Sequence, residues 1–346
     1  MSDRSAGNRS RSEGTMRLAF TKMVGTGNDF IIVDARGDRG GTICAAEEVS
    51  QRAGAATELA GRRLPWVEMA RAICDRRYGI GADGLLVLEP SKRADVRMRI
   101  FNADGSEAEM CGNGARCAAW FTWHAASSPR REGELRLETA AGIIGARIVG
   151  TGVHVRLSDP TELDLDRSVR VDGRTIPLSF INTGVPHAVV PVTNLDRVNV
   201  EQLGRALRTH KAFGPRGTNV DFIEANRRVA SQLSVRTYER GVEGETLACG
   251  TGVTASAIVH VLRQSRATGG RGPLGGPHRV DVRVRSGEVL TVRFVASVDG
   301  AATRVGEVWL EGPIRMICEG TFQWPLHETR KNQRSTRASA RVGAVA

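Results

Sequence analysis

The sequence predicts a mixed α+β protein built as two similar, strand-rich lobes, each carrying a helix with a cysteine at its N-terminal end. Three observations lead there. Residues 101–118 read FNADGSEAEMCGNGARCA, an extended polar segment that passes through Cys-Gly-Asn-Gly into a run of small residues suited to a closely packed helix. Residues 246–257 read TLACGTGVTASA and repeat the device: Cys-Gly-x-Gly, then small and β-branched residues. Each is preceded by a related signature, Asn28-Asp29-Phe30 in the first half and Asn219-Val220-Asp221-Phe222 in the second. The interval is far longer than a solenoid period, so the duplication is of domain scale.

Taken in order, Leu18, Phe20 and residues 30–33 mark two strands around the polar loop 25–29. Residues 35–63, rich in Gly, Ala, Arg and Glu, read as a surface insertion of loop and short helix. Val67, Ala70 and Ile73 are spaced for a helix over 66–74. A glycine loop then leads into a strand within YGIGADGLLVLEP, and residues 97–101 form the next. The first cysteine helix runs on to Ser127, Ser128 and Pro129. LRLET and GARIVGTGVHVRL are two strands, and 158–174 reads as a polar linker. The second half continues with a strand at 178–183, a helix over 198–208, strands ending THKAFGPRGTNVDFIE and covering 235–240, and the second cysteine helix over 251–263. A Gly/Pro-rich loop at 268–278 and strands at 280–295 and 302–310 complete it. The expected divisions are a disordered extension over 1–15, a first lobe over 16–174, and a second lobe over 175–320 whose last strand or strands cross back to the first. A basic disordered tail covers 321–346.

At 346 residues the chain can bury a sizeable core, and its length favours two domains. The formal charge of +11 points toward anionic partners, but about half of it lies in the two ends. Arg330, Lys331, Arg334, Arg337 and Arg341 follow the last acidic residue, so a solvated tail explains the charge better than specific nucleic-acid binding. No run of about 18 apolar residues is present for a membrane span. With no apolar signal core at the start, the expected location is cytoplasmic. Six cysteines without a C-x-x-C pair suit neither a disulfide framework nor a zinc site.

Cys111 and Cys249 stand out because unpaired N–H groups at a helix N-terminus bind anions and activate thiols. Either motif alone reads most simply as a small core cysteine; two of them in similarly ordered halves do not. If both helices face one ligand, an amino-acid α-carboxylate sits on their N–H groups and its α-carbon lies between the thiols. One thiolate then removes the α-proton and the opposite thiol returns one, inverting the centre. His187 or Glu239 would adjust the ionisation of the thiols, and Arg240 offers a fork for a second carboxylate. Asn28, Asn102 and Asn219 both donate and accept hydrogen bonds. Cys44, Cys74, Cys117 and Cys318 lack the flanking turn and read as inert thiols.

These residues lie in motifs that closely resemble the diaminopimelate epimerase family: GTGNDF at 25–30, GIGADG at 79–84, NADGSEAEMCGNGAR at 102–116, NTGVPH at 182–187, GTNVDF at 217–222 and YERGVEGETLACGTG at 238–252. The resemblance runs from about residue 16 to residue 320. It implies two pseudo-symmetric lobes, each a barrel-like, mostly antiparallel sheet around a central helix. It further implies a homodimer that interconverts LL- and meso-diaminopimelate in lysine biosynthesis without cofactor or metal. By the same resemblance Cys111 and Cys249 are the acid/base pair, and His187 and Glu239 modulate them. Asn28, Asn102, Asn219, Glu239 and Arg240 bind substrate, while Gly112, Asn113, Gly250 and Thr251 cradle the α-carboxylate.

Two positions depart from the family pattern. Val185 replaces an asparagine, whose role Asn182 is expected to take, and Gly84 replaces a substrate-facing glutamine of some members. The nearest rival is a proline or hydroxyproline racemase or epimerase; a non-catalytic binding protein is the rival from another class.

Overall fold

The computed structural model describes residues 15–37, 43–45, 64–125, 132–150, 152–268, 275–299 and 302–325. The first lobe opens with a hairpin, β1 (Thr15–Gly25) and β2 (Asn28–Asp34), onto which the short β3 (Ile43–Ala45) adds. Helix α1 (Trp66–Cys74) then crosses over to β4 (Gly84–Glu89), parallel to β2, and β4 turns back as β5 (Val96–Asn102). After the two-residue β6 (Glu107–Ala108) comes α2 (Gly112–His124), a second crossover, since β7 (Glu132–Thr139) lies parallel to β5. The meander β7, β8 (Gly142–Val149) and β9 (Gly152–Arg156) closes the lobe.

The second lobe repeats this plan. Its strands β11 (Arg174–Asn182) and β12 (Pro186–Pro191) form the hairpin. Helix α3 (Val200–Arg208) crosses to β13 (Asn219–Ala225), parallel to β12, and β14 (Gln232–Glu239) returns antiparallel. Past β15 (Gly244–Thr246), α4 (Gly250–Ala267) crosses to β16 (Gly276–Arg283), parallel to β14. The meander is completed by β17 (Val289–Asp299) and β18 (Ala302–Gly312).

Each lobe also lends a strand to the other. After β9, strand β10 (Thr161–Val171) pairs with β11 of the second lobe; after β18, strand β19 (Ile314–Pro325) returns to pair along β1. Strands β9 and β18 pair directly and join the two sheets.

Helix α2 touches every strand of the sheet β19-β1-β2-β4-β5-β7-β8-β9 and is buried on all sides over Gly112, Asn113 and the residues through Ala119. That explains its small-residue sequence, because a helix enclosed by a sheet has no solvent face to fill with charge. The continuous apolar runs in β2 and β4 have a related cause. Phe30, Ile32, Leu86 and Leu88 pack inward with α2, whereas Ile31, Val33, Leu85 and Val87 pack outward with Met69, Ala70 and Ile73 of α1. In the second lobe Val220 and Phe222 likewise pack outward with Val200 and Leu207 of α3.

Several expectations change. The supposed linker at 158–174 contains β10, whose Leu165 and Val169 are buried; two register shifts and Glu162 at φ 53° break the alternation a strand normally displays. GARIVGTGVHVRL is two strands, β8 and β9, with Val149 opposite Gly152. The part of the supposed tail over 321–325 belongs to β19, where Trp324 is buried. Similarly, Thr15 of the supposed extension begins β1, and Ile43–Ala45 of the insertion forms β3. The remaining expectations, for 1–14, 38–42, 46–63 and 326–346, for the helix stop at Ser127, Ser128 and Pro129 and for 269–274 of the Gly/Pro-rich loop, fall outside the described residues.

Candidate active site

Both cysteines occupy the N-cap position of a central helix. Cys111 has an extended backbone (φ −144°, ψ 121°), and its Sγ accepts the Gly114 N–H at 3.5 Å. Cys249 caps α4 in the same conformation (φ −119°, ψ 111°), with Sγ 3.4 Å from Thr251 Oγ1. The two helix N-termini meet. A Cβ on Gly250 would lie 3.9 Å from Gly112 Cα and 4.0 Å from Asn113 Oδ1. Leu310 of β18 fills the space beneath both, its Cδ2 3.5 Å from a Cβ on Gly112 and 3.0 Å from one on Gly250. Glycine at these positions therefore lets two sets of unpaired N–H groups converge, and their partial positive charges favour an anion there.

On the first-lobe side, Asn113 Nδ2 donates to Asn28 Oδ1 at 2.5 Å, and Asn28 Nδ2 donates to Asp83 Oδ2 at 3.0 Å. Asp83 is held by Arg76, which also pairs with Asp29. The Asn113 Oδ1 accepts from Arg116 Nη2 at 2.7 Å. Close approach of β1 to this helix end requires Gly25, whose Cβ would stand 2.9 Å from the Asn113 carbonyl oxygen.

The second-lobe side holds a buried chain of polar groups. Asn219, Asp221 and Ile223 share one face of β13, as alternate strand residues do, and His187 lies beside Asn219 in the parallel register of β12. His187 Nδ1 donates to Asp221 Oδ2 at 2.7 Å, and Thr237 Oγ1 donates to Asp221 Oδ1 at 2.8 Å. His187 Nε2 faces Thr251 Oγ1 at 3.0 Å, which in turn faces Cys249 Sγ. Asn219 Oδ1 accepts the Arg240 backbone N–H at 2.7 Å, and its Nδ2 donates to the Pro186 carbonyl at 3.3 Å. Glu239 stands beside Thr246 and Cys249. Gly252 is needed because a Cβ there would run into Asp221 Oδ1 and lie 3.3 Å from His187 Cε1.

Burial is the first cause that pushes both thiols above their ordinary range. The two are not equivalent. Glu239 and Asp221 add negative charge around Cys249, which is raised well above the usual thiol value, whereas Cys111 has Glu239 opposed by the Gly114 and Asn113 N–H groups and by Arg116. Burial likewise lifts the Glu239 carboxyl, against a lowering effect from Thr246, His187 and Cys249. Cys74 and Cys117 are pushed up to about 12 by burial, which removes their thiolates at neutral pH.

The structure thus gathers Cys111, Gly112, Asn113 and Asn28 on one side and Cys249, Gly250, Thr251, His187, Asn219, Glu239 and Arg240 on the other. Asn102 is exposed at the end of β5, opposite Gly84, and its Nδ2 donates to Ser106 Oγ at 3.0 Å. A Cβ on Gly84 would sit 2.8 Å from the Phe101 carbonyl oxygen, so this backbone is packed too closely for a side chain without a shift. Asn182 Oδ1 accepts from Gly184 N and its Nδ2 donates to Glu162 Oε1 at 3.2 Å, so its amide already serves the turn before β12. Sequence reasoning passed over Asp221, Arg116 and Leu310. Asp221 carried a signal, its i, i+2 spacing from Asn219 in a strand; the other two are placed only by tertiary packing.

Two lobes of like topology that aim cysteine-capped helices at each other form a racemase or epimerase fold. Solved structures share the fold. A hydroxyproline epimerase from Agrobacterium vitis matches with a TM-score of 0.59 at 16% identity, over 90% of this chain and 93% of its own. A phenazine biosynthesis protein of the PhzF family from Bacillus anthracis matches at 0.60 and 17% identity, over 89% and 99%. The family model described as Diaminopimelate epimerase matches residues 20–161 and 179–297. The diaminopimelate epimerase of Aquifex aeolicus is 39% identical over 88% of this chain and 97% of its own length, and that of Methanothrix thermoacetophila 37% over 90% and 99%. The chain belongs to the diaminopimelate epimerase family.

Proposed function

We propose that this protein interconverts LL- and meso-diaminopimelate, a step of lysine biosynthesis, by moving protons between Cys111, the substrate α-carbon and Cys249. The observation that carries this reading is the convergence of two cysteine-capped helix N-termini on one point. The α-carboxylate binds the N–H groups beginning at Gly112 and Gly250, which places the α-carbon between the thiols. Negative charge that spreads onto the carboxylate as the proton leaves meets donors already oriented toward it, and exclusion of water strengthens their effect. Each turnover leaves the pair in the protonation state needed for the reverse reaction.

Diaminopimelate carries a second amino-acid centre, and the site has groups for it. The Arg240 guanidinium has no ion-pair partner among the described residues, which leaves it available to a distal carboxylate. Asn219 and Glu239 lie next to it in the fold and suit an ammonium group. Asn102 and Asn28 complete the first-lobe wall; Asn182 supplies the side-chain amide that Val185 lacks only by releasing Gly184 or Glu162, which hold it in the turn before β12. No helix among the described residues is long and apolar enough to cross a membrane. A homodimer acting in the cytoplasm, without cofactor, metal or specific nucleic-acid partner, completes the proposal.

The test is turnover of purified protein with LL-diaminopimelate, L-proline and trans-4-hydroxy-L-proline, followed by chiral chromatography. Formation of meso-diaminopimelate with neither proline substrate converted is expected. Conversion of a proline substrate with none of diaminopimelate would replace the proposal.

A further inference from the structure

Arg116 has the largest fully buried side chain among the described residues, and none of their carboxylates pairs with it. Its Nη2 donates to Asn113 Oδ1 and to Thr26 Oγ1, both at 2.7 Å, while Nη1 donates to the Gly112 carbonyl at 3.4 Å. Its Nε has no hydrogen-bond partner among the described residues. A buried cation without a counter-ion is costly, and neutral acceptors meet only part of that cost. Thr26 provides one of them from a strained position. Together with Gly27 it forms the two-residue turn between β1 and β2, at φ 51° and 83°, where a β-branched residue is disfavoured. The strain and the uncompensated charge sit together behind Gly112 and Asn113.

We propose that Arg116 is a positioning residue for the reaction: it fixes the Asn113 amide, and it keeps the first helix N-terminus positive so that an α-carboxylate completes the charge balance when it binds. This rests on the epimerase reading above. Because Nη2 can only donate, the Asn113 oxygen must face Arg116 and the Asn113 NH2 must face Asn28, so the guanidinium at one end and the Asp83 carboxylate at the other set the direction of the Asn113-Asn28-Asp83 chain. The Gly112 carbonyl is tied to the same group, which orients the peptide whose N–H groups receive the anion. The other titratable or charged groups facing these residues are Glu239, toward Cys111, and Cys117 and Glu288, toward Arg116; Glu288 acts through space without contact.

The experiment compares Arg116→Met and Arg116→Lys in the full chain, with unfolding curves to identify folded protein. Two quantities are read: KM and kcat for LL-diaminopimelate, and the pH midpoint for iodoacetamide labelling of Cys111, resolved from the other cysteines by peptide mass spectrometry. Arg116→Met should raise KM about tenfold or more and move the Cys111 midpoint up by about one unit, since a neighbouring cation that favoured the thiolate is gone. Arg116→Lys keeps the charge but cannot span Asn113 and Thr26, so the midpoint should return toward wild type while KM stays raised. Should Arg116→Met fail to fold, the KM of Arg116→Lys decides. Folded variants with reduced stability but unchanged KM and midpoint would overturn the proposal and leave Arg116 a packing residue. Absence of turnover by the unmodified protein would overturn the epimerase reading alone, because the labelling midpoint still reports on Arg116.

Discussion

His187 Nδ1 lies 2.7 Å from Asp221 Oδ2, and both side chains are completely buried. A carboxylate can only accept, so the ring proton sits on Nδ1 and Nε2 is left to exchange a proton with Thr251 Oγ1. That hydroxyl bridges the imidazole and Cys249.

Asp221→Asn should separate acidity from catalysis. Removing a negative charge makes the Cys249 thiol more acidic, because Asp221 is one of the groups that raise it. The amide no longer fixes the imidazole, however, and kcat should fall by about 100-fold to 10,000-fold, the range of a positioned general acid or base. Labelling of Cys249 against pH, measured beside kcat, checks this: an unchanged kcat would remove His187 and Asp221 from the proton path.

The two thiols should also titrate in order. Cys111 is expected to react with iodoacetamide at lower pH than Cys249, since Glu239 and Asp221 both face Cys249 whereas Arg116 and two N–H groups favour the Cys111 thiolate. Glu239→Gln should lower the midpoints of both, because its carboxylate raises both. Reaction of Cys249 first in the unmodified protein would reverse this assignment.

Leu310 sets the spacing of the two helix ends. Replacing it with alanine should cost about 2–5 kcal/mol of stability as a buried leucine truncation. It should also raise KM, because the support that Leu310 gives beneath Gly112 and Gly250 is lost. Urea unfolding and steady-state kinetics measure the two effects, and a loss of stability with unchanged KM would show that neighbouring residues hold the spacing without it.

The cysteines and much of the fold were legible in the sequence for a physical reason. A helix enclosed by a sheet needs small residues throughout, and an N-cap cysteine between glycines is conspicuous when it occurs twice. Strand β10 was not legible, since its bulges scatter Leu165 and Val169 among charged residues and erase the period of two. The return of the last strand to the first lobe was expected, whereas the pairing of β10 with β11 of the second lobe is a matter of partners, which hydrophobic pattern does not encode. Arg116 looks like a surface helix residue in the sequence; only the enclosure of α2 makes it a buried cation. Asp221 could be placed on the site face by its spacing from Asn219, but its bond to His187 depends on the parallel register of β12 and β13.

The most direct test of two-base exchange is incubation with LL-diaminopimelate in deuterium oxide, sampled while only a few per cent has reacted. Thiol protons exchange with solvent, so the meso product should carry deuterium at its inverted α-carbon while remaining LL substrate keeps protium. Substrate-derived protium at the inverted centre of the product would mean that one group removes and returns the same proton, and would contradict a mechanism divided between Cys111 and Cys249.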